Sequence, residues 1–252
     1  MLREEYVRQW ETTVSDSGSP FHCSRYAPLK SVIEWPIALL LLLIAAPIIA
    51  LMAIVTKIVS PGPAFYSQVR MGRGGKAFRM HKIRSMTHNC EAKTGPMWSS
   101  GTDQRVTRIG RFMRDTHIDE LPQLWNVLKG EMSVIGPRPE RPELVDQIEQ
   151  ALPRYRERLL AKPGLTGLAQ VQLPADTSLE DVRHKLAYDL YYVQKMSVLL
   201  DLRISLCTLL HLSGLVLNSF GKLMVKSYGN EAEMELPKVR LIAEKAQPMS
   251  VA

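Results

Sequence analysis

The sequence predicts an α+β fold that is mainly helical: a re-entrant membrane helix-hairpin anchor, then a cytoplasmic helical domain carrying a short β-hairpin and interfacial amphipathic helices. Three observations predict it. Residues 37–55 form a run of nineteen residues without a charge, and at helical rise that length just reaches across a hydrocarbon core. Residues 65–69 and 77–83 are strand-like and flank Gly72-Arg73-Gly74-Gly75, a turn composition. Beyond residue 120, apolar residues recur mainly at helical spacing, as in Leu121, Leu124, Trp125 and Leu128.

Residues 1–30 are polar and weakly patterned and read as an N-terminal tail, loosest over the Ser-, Asp-, Gly- and Pro-containing stretch 12–20. Residues 31–58 are the anchor. The apolar run starts too far into the chain, and lacks the small-residue cleavage site, for a signal peptide. Two features argue against a plain spanning helix. Pro47 lies mid-run, where it removes a backbone hydrogen bond and bends the helix. Basic residues flank both ends: Arg3, Arg8, Arg25 and Lys30 before it, and Lys57, Arg70, Arg73, Lys76, Arg79, Lys82 and Arg84 after it. Positive flanks favour the cytoplasmic side. A bent hairpin that enters and leaves one leaflet satisfies both features.

Ser60-Pro61-Gly62-Pro63 ends the anchor helix. In the second hairpin strand Phe78, Met80, Lys82 and Arg84 share one face; this is either a solvated basic ribbon or one that faces phosphate or lipid headgroups. Residues 86–104 read as a loop, and Gly130 ends the helix begun near Leu121. Gly136-Pro137-Arg138-Pro139 is a rigid turn. Residues 142–160 read as an amphipathic helix, 162–170 as a loop and 179–195 as a helix. Residues 196–220 are mostly apolar but carry Asp201, Arg203 and His211, which suits helices lying in the interface better than a second span. The organisation expected is a tail at 1–30, an anchor at 31–58, a functional domain at 59–225 and a polar tail at 226–252.

A net charge of +7 implies an acidic partner: nucleic acid, anionic lipid or a phosphorylated small molecule. Cys23, Cys90 and Cys207 form no CxxC pair, so neither a disulfide framework nor a zinc site is indicated and a reducing compartment is the simpler reading. No P-loop is present, and no GxGxxG follows a strand. The histidines lack metal-site spacing, and neither Ser85 nor Ser133 has a base partner that spacing reveals.

The densest chemistry lies at Asp119-Glu120, with Arg105, Arg108, Arg111 and Arg114 before it and Arg138 and Arg141 after it. Arginine forks match phosphate oxygens. Paired carboxylates suit a hard divalent cation or a nucleophile with a helper. Asp119 also has a plainer explanation, because Thr116-His117-Ile118-Asp119 matches a helix-start pattern and Asp119 could itself be an N-cap. The two roles are compatible, since a helix N-terminus favours an ionised carboxylate. Glu120 needs compensating cations beside a second acid. Arg111 and Arg114 are either the polar face of a helix or a clamp on a diphosphate. Arg138 is restricted by proline on both sides, which pre-orients its guanidinium.

This arrangement resembles the small monotopic phosphoglycosyl transferases of the bacterial sugar transferase family. The resemblance covers residues 30 to 215 and is carried by an ordered set: the apolar anchor, Ser60-Pro61-Gly62-Pro63, Lys82-Ile83-Arg84-Ser85-Met86, Thr107-Arg108-Ile109-Gly110, the segment from Asp119 to Gly130, the segment from Met132 to Pro139, Lys162-Pro163-Gly164-Leu165-Thr166-Gly167, and Tyr188 to Tyr192 with Leu200-Asp201-Leu202. It implies that Asp119 attacks the sugar-linked phosphate of a nucleoside diphosphate sugar, usually a UDP-sugar, releasing UMP. Undecaprenyl phosphate then takes the phosphosugar from Asp119. Glu120 assists, Mg2+ binds Asp119 and the diphosphate, Arg114 contacts phosphate, Arg138 lies near the nucleotide, and Lys82 and Arg84 flank the site. It also implies a monotopic protein among membrane lipids on the cytoplasmic face of the inner membrane, with a homodimer left open and no nucleic acid. The family's membrane bend often carries Ser-Pro, where this chain has Ala46-Pro47.

Two other readings fit parts of the sequence. A non-catalytic scaffold holding anionic lipid accounts for the anchor and the charge, but not for Asp119-Glu120 or Pro137-Arg138-Pro139. A membrane-tethered nucleic-acid binder predicts salt-sensitive binding to nucleic acid. Asp119→Asn separates the first from an enzyme: a scaffold keeps its function, whereas the enzyme loses turnover.

Overall fold

In a computed structural model the described residues are 26–90, 103–174, 176 and 178–212. The expected tails up to residue 25 and from 226 on, Trp98 and most of the 86–104 loop lie outside them.

Helix α1, Tyr26–Val59, is a single helical element of 34 residues that includes Pro36 and Pro47. It is long and apolar enough to cross a membrane, with a mean hydropathy of 3.0 over its most apolar window. It starts at Tyr26, five residues before the expected anchor boundary. Residues 26–30 look like polar tail in sequence, but Lys30 is buried, and its contacts extend the helix. One stripe of α1 faces the protein: Lys30, Glu34, Ala38, Ala45 and Thr56 are buried, with Leu42 and Ile49 packed alongside. The opposite face exposes Leu40, Leu43, Ile44, Leu51, Ile54 and Ile58. A helix of a soluble domain carries polar residues there.

Strands β1, Phe65–Met71, and β2, Ala77–Ile83, form the expected antiparallel hairpin, with Phe65 opposite Ile83 and Met71 opposite Ala77. Its turn passes through Gly74 and Gly75 at positive φ, which glycine adopts without a Cβ clash. Phe78 and Met80, on the face read from sequence, are buried with Ala38 and Ala45 of α1. Helix α2, Arg108–Asp115, is capped by Thr107, whose hydroxyl accepts from the Gly110 N–H at 2.9 Å. Gly110 packs so closely on the chain after β2 that a Cβ there would lie 1.9 Å from the Ser85 carbonyl oxygen.

A 3₁₀ turn, Ile118–Gln123, leads into the short helix α3, Leu124–Leu128. Asn126 is fully buried and ties α3 to β2, accepting from the His81 N–H and donating to the Arg79 carbonyl. Strands β3, Ser133–Ile135, and β4, Gly164–Thr166, pair in parallel. The sequence reading made the second of these a loop, because three residues are too few to show alternation. Helix α4, Pro142–Ala151, gives way to a 3₁₀ turn, Tyr155–Leu160, so the single helix expected over 142–160 is two elements. Pro153 has no N–H to donate and disfavours helical backbone at Leu152, whose φ is −129°. Helix α5, Leu168–Gln172, precedes α6, Leu179–Lys195, which has the predicted limits and a Ser178–Asp181 capping box. The last described element, α7, Val198–Leu212, exposes Leu199, Leu202, Leu206 and Leu209.

A buried polar network joins α1 to the rest. The Lys30 ammonium donates to Asp201 Oδ2 of α7 at 2.5 Å and lies 3.0 Å from Glu34 Oε1. The Tyr192 hydroxyl of α6 donates to Asp201 Oδ1 at 2.8 Å. The Glu34 carboxylate accepts from the Ser133 hydroxyl and from the Val134 and Ile135 N–H groups of β3. Every charge here is buried and paired, so removing one member leaves the others unpaired at depth. Asp201→Ala is therefore expected to lower folding stability by about 3–5 kcal/mol. Glu180→Ala, which breaks a partly exposed pair with Arg183, should cost less than about 1 kcal/mol. Chemical denaturation of both variants in detergent micelles checks the contrast.

Candidate active site

The chain between α2 and the 3₁₀ turn reverses at His117, which takes the left-handed conformation at φ 57°, ψ 16°. That reversal sets Asp119 and Glu120 in the first turn of the 3₁₀ element. Neither helix-start reading of Asp119 holds. His117 precedes the turn as its N-terminal flank without a side-chain cap, and the Thr116 hydroxyl donates back to the Phe112 carbonyl at 2.8 Å. Local sequence matched the capping pattern, but α2 runs to Asp115 and takes Thr116 as its own C-terminal flank.

The two carboxylates face a cleft of about 630 Å3 whose walls include Lys82, Arg114, His117 and Arg138. Their environments differ. Glu120 Oε1 accepts from Lys82 Nζ at 2.6 Å and from Arg138 Nη2 at 2.7 Å. Burial opposes its charge, but Arg138 and Lys82 outweigh burial and hold the carboxyl well below the usual glutamate range. Asp119 is 5% exposed, and among the described residues no hydrogen bond or ion pair engages its carboxylate. Burial pushes its pKa up to about 6; Lys82 opposes the rise, and the neighbouring Glu120 charge adds to it. Asp119 is therefore still mainly ionised at neutral pH, though less firmly than a helix-cap position implies. Burial also pulls the Lys82 ammonium below its ordinary value, against the attraction of Glu120.

The basic residues named from sequence separate into groups. Lys82, Arg114 and Arg138 are brought to the carboxylates. Arg114 lies on the cleft wall, its Nε donating to the Ser85 hydroxyl at 2.9 Å. Arg138 stays half-exposed, with 49% of its side chain accessible, and its Nη1 donates to Gln170 Oε1 at 2.9 Å. Arg84 reaches the wall, but its guanidinium donates to the carbonyls of Ser60 and Pro61 at 2.6 and 2.5 Å, so its fork closes the end of α1. Arg111 is exposed on α2 and is not part of the cleft wall. Pro47 lies in α1, away from the cleft wall. Gln170 and the Ser85 hydroxyl were missed as site residues. Neither carries a spacing signal, since each reaches its arginine from a distant part of the chain. Among the described residues no cluster of three or more metal-ligating side chains occurs, and Asp119 is the carboxylate in the Lys82–Arg138 corner not already paired.

Comparison with known proteins gives the family. The family model described as Bacterial sugar transferase matches residues 25–214. The chain belongs to the bacterial sugar transferase family. Within that family it is 40% identical over 179 residues to the UDP-N-acetylgalactosamine-undecaprenyl-phosphate N-acetylgalactosaminephosphotransferase of Aeromonas hydrophila. That match covers 71% of this chain and 42% of the relative. It is 44% identical over 181 residues to the UDP-glucose:undecaprenyl-phosphate glucose-1-phosphate transferase of Caulobacter vibrioides, covering 71% of this chain and 67% of the relative. It is 40% identical over 169 residues to the exopolysaccharide production protein PSS of Rhizobium leguminosarum bv. phaseoli, covering 65% and 84%. The chain thus spans less than half of the first relative and more of the other two. The family match begins at residue 25, close to the start of α1 at Tyr26, and ends two residues beyond α7.

The unequal carboxylates lead to a direct expectation. In the metal-free protein the Asp119 carboxyl should titrate with a midpoint near 6, while Glu120 stays ionised to far lower pH. Lys82→Met removes the largest influence that lowers the Asp119 value and should move the midpoint upward. Carboxyl 13C NMR across a pH series checks both.

Proposed function

We propose that this protein transfers a sugar 1-phosphate from a nucleoside diphosphate sugar, most simply a UDP-sugar, to undecaprenyl phosphate through a covalent intermediate on Asp119. One observation carries the reading: Asp119 is buried, unpaired among the described residues and raised in pKa, within a cleft where Glu120 already pairs with both Lys82 and Arg138. A nucleophile needs a free lone pair, and an unpaired carboxylate has one. The names of the relatives support the acceptor, since two of them are undecaprenyl-phosphate sugar phosphotransferases. Those two names carry different sugars, so the sugar stays open.

In the first step an Asp119 oxygen attacks the sugar-linked phosphorus, and the bond to the bridging oxygen breaks, so that UMP leaves with that electron pair. In the second, an oxygen of undecaprenyl phosphate attacks the same phosphorus and Asp119 leaves as a carboxylate. Arg114 and Arg138 face the charge that spreads over the phosphoryl oxygens. Glu120, held ionised, keeps Lys82 and Arg138 in register and helps position the acceptor phosphate. A Mg2+ ion fits this donor set, because one free carboxylate with substrate phosphate oxygens is how that ion is commonly held. Asp119 would hold it, and its charge would neutralise the diphosphate.

The membrane reading follows from the packing of α1. Its first turns are bonded to β3 and α7 through Glu34 and Lys30, and the carbonyls of Ser60 and Pro61 just beyond its end are held by Arg84. A full crossing separates helix ends by about 30 Å of hydrocarbon, yet the start of α1, its middle and the residues just past its end all contact one domain. This supports a re-entrant, monotopic anchor bent at Pro47, with the cleft at headgroup level on the cytoplasmic face. The exposed leucines of α7 support contact with the same interface.

Full-length protein in detergent, given magnesium, undecaprenyl phosphate and a panel of UDP-sugars, should release UMP. Asp119→Asn should release none above background, and chelation with EDTA should abolish the signal reversibly. Folded protein that releases UMP from no sugar overturns the UDP-sugar version. Release by Asp119→Asn at the wild-type rate overturns the covalent role.

A further inference from the structure

The family-like segment from Tyr188 to Tyr192 is not used by the chemistry above, yet its Asp189 is 3% exposed and bonded. Its partner is Arg158 of the second 3₁₀ turn, 6% exposed. Arg158 donates from Nε to Asp189 Oδ2 at 2.9 Å and from Nη1 to the Tyr155 hydroxyl oxygen at 2.8 Å. Its guanidinium carbon lies 4.9 Å from the centroid of the Tyr155 ring. Its Nη2 is shared: it lies 2.6 Å from Asp189 Oδ2 and also donates to the main-chain carbonyl of Arg138, at 2.8 Å.

That carbonyl belongs to a turn with few bonds of its own. Pro137 and Pro139 have no N–H, so the turn cannot brace itself. Outside donors brace it instead, and each successive carbonyl has one. Pro137 O accepts from the Gly164 N–H at 2.9 Å, Arg138 O from Arg158, Pro139 O from Arg70 Nη1 at 3.2 Å, and Glu140 O from the Met71 N–H at 2.8 Å. Of these donors, Arg158 acts on Arg138, the residue of this turn whose guanidinium reaches Glu120. Beyond the pinned carbonyl, the Arg138 guanidinium reaches Glu120 and Gln170.

We propose that Arg158, oriented by Asp189 and Tyr155, is a positioning residue that fixes the Arg138 backbone and so aims the Arg138 guanidinium into the cleft. The catalytic meaning of this rests on the phosphotransfer reading above; the positioning itself does not. A buried arginine serving only to pair with Asp189 has no need to spend a fork donor on a distant carbonyl. Lysine keeps the charge but not the planar fork, so Arg158→Lys can satisfy Asp189 while releasing the Arg138 carbonyl.

The test uses full-length protein in detergent micelles with 15N-labelled arginine side chains, the Arg138 signal being assigned by its loss in Arg138→Lys. In wild type the Arg138 guanidinium should give resolved, slowly rotating Nη signals. In Arg158→Lys these should merge into one averaged signal, and the KM for the UDP-sugar should rise on the order of tenfold, the scale at which partners that orient other ligands act. If Arg158→Lys does not fold, Tyr155→Phe deletes only one hydroxyl acceptor and should broaden the same signals. An unchanged Arg138 signal in a folded variant overturns the proposal, even where the melting temperature falls. A changed signal in a protein that never turns over leaves the positioning in place and removes the phosphotransfer reading instead.

Discussion

Glu120 accepts hydrogen bonds from Lys82 and Arg138 at once, and the cleft is organised around that contact. Lys82 comes from β2, Glu120 from the 3₁₀ turn and Arg138 from the proline-flanked turn after β3. Two cations compensate one buried carboxylate, so Glu120 remains charged where burial alone would neutralise it. The adjacent Asp119 is then left without a partner of its own among the described residues, and burial raises its pKa. Two neighbouring acids of similar chemistry thus acquire opposite electrostatic character, one a fixed counter-ion and the other a carboxylate with free lone pairs.

The anchor and the cleft are parts of one packed unit. The Lys30–Glu34–Asp201–Tyr192 network fastens the start of α1 under β3, α6 and α7. At the other end, Arg84 grips the carbonyls of Ser60 and Pro61 just beyond α1, and it lies one residue past β2, two residues beyond Lys82. Between these ends, Ala38 and Ala45 let β2 and α3 approach α1 closely. The exposed side of α1, Phe65 and Tyr66 of β1, and the leucines of α7 are apolar. An apolar exterior of that extent is costly in water and suits a lipid surface.

Much of the site was legible before any coordinates. The Asp119-Glu120 pair, Arg114, Lys82 and Arg138 stood out by residue type and spacing, and the fold brings all five to one cleft. Arg84 and Arg111 show where that reasoning stops. Their charge suggested phosphate, but Arg84 spends its guanidinium on main-chain carbonyls and Arg111 is exposed away from the cleft wall, and which partner a guanidinium meets depends on packing. Asp119 likewise fitted a capping pattern that the neighbouring helix α2 pre-empted by running through Asp115.

By itself the sequence determined the features that depend on short-range chemistry. These are the long apolar helix, the glycine turn with its two strands, the limits of α6, the proline-restricted Arg138 and the concentration of acids and arginines. Periodicity, glycine conformation and charge are local properties, and they survive in a linear reading. Only the tertiary structure decided the parallel β3–β4 pair, the start of α1 at Tyr26 and the division of labour between Glu120 and Asp119. Each of these depends on a partner many residues away: Lys30 meets Asp201, Arg138 meets Glu120 and Arg158 meets Asp189. Burial and pairing at long range set the energy of a charged group, and neither can be read from the residues beside it.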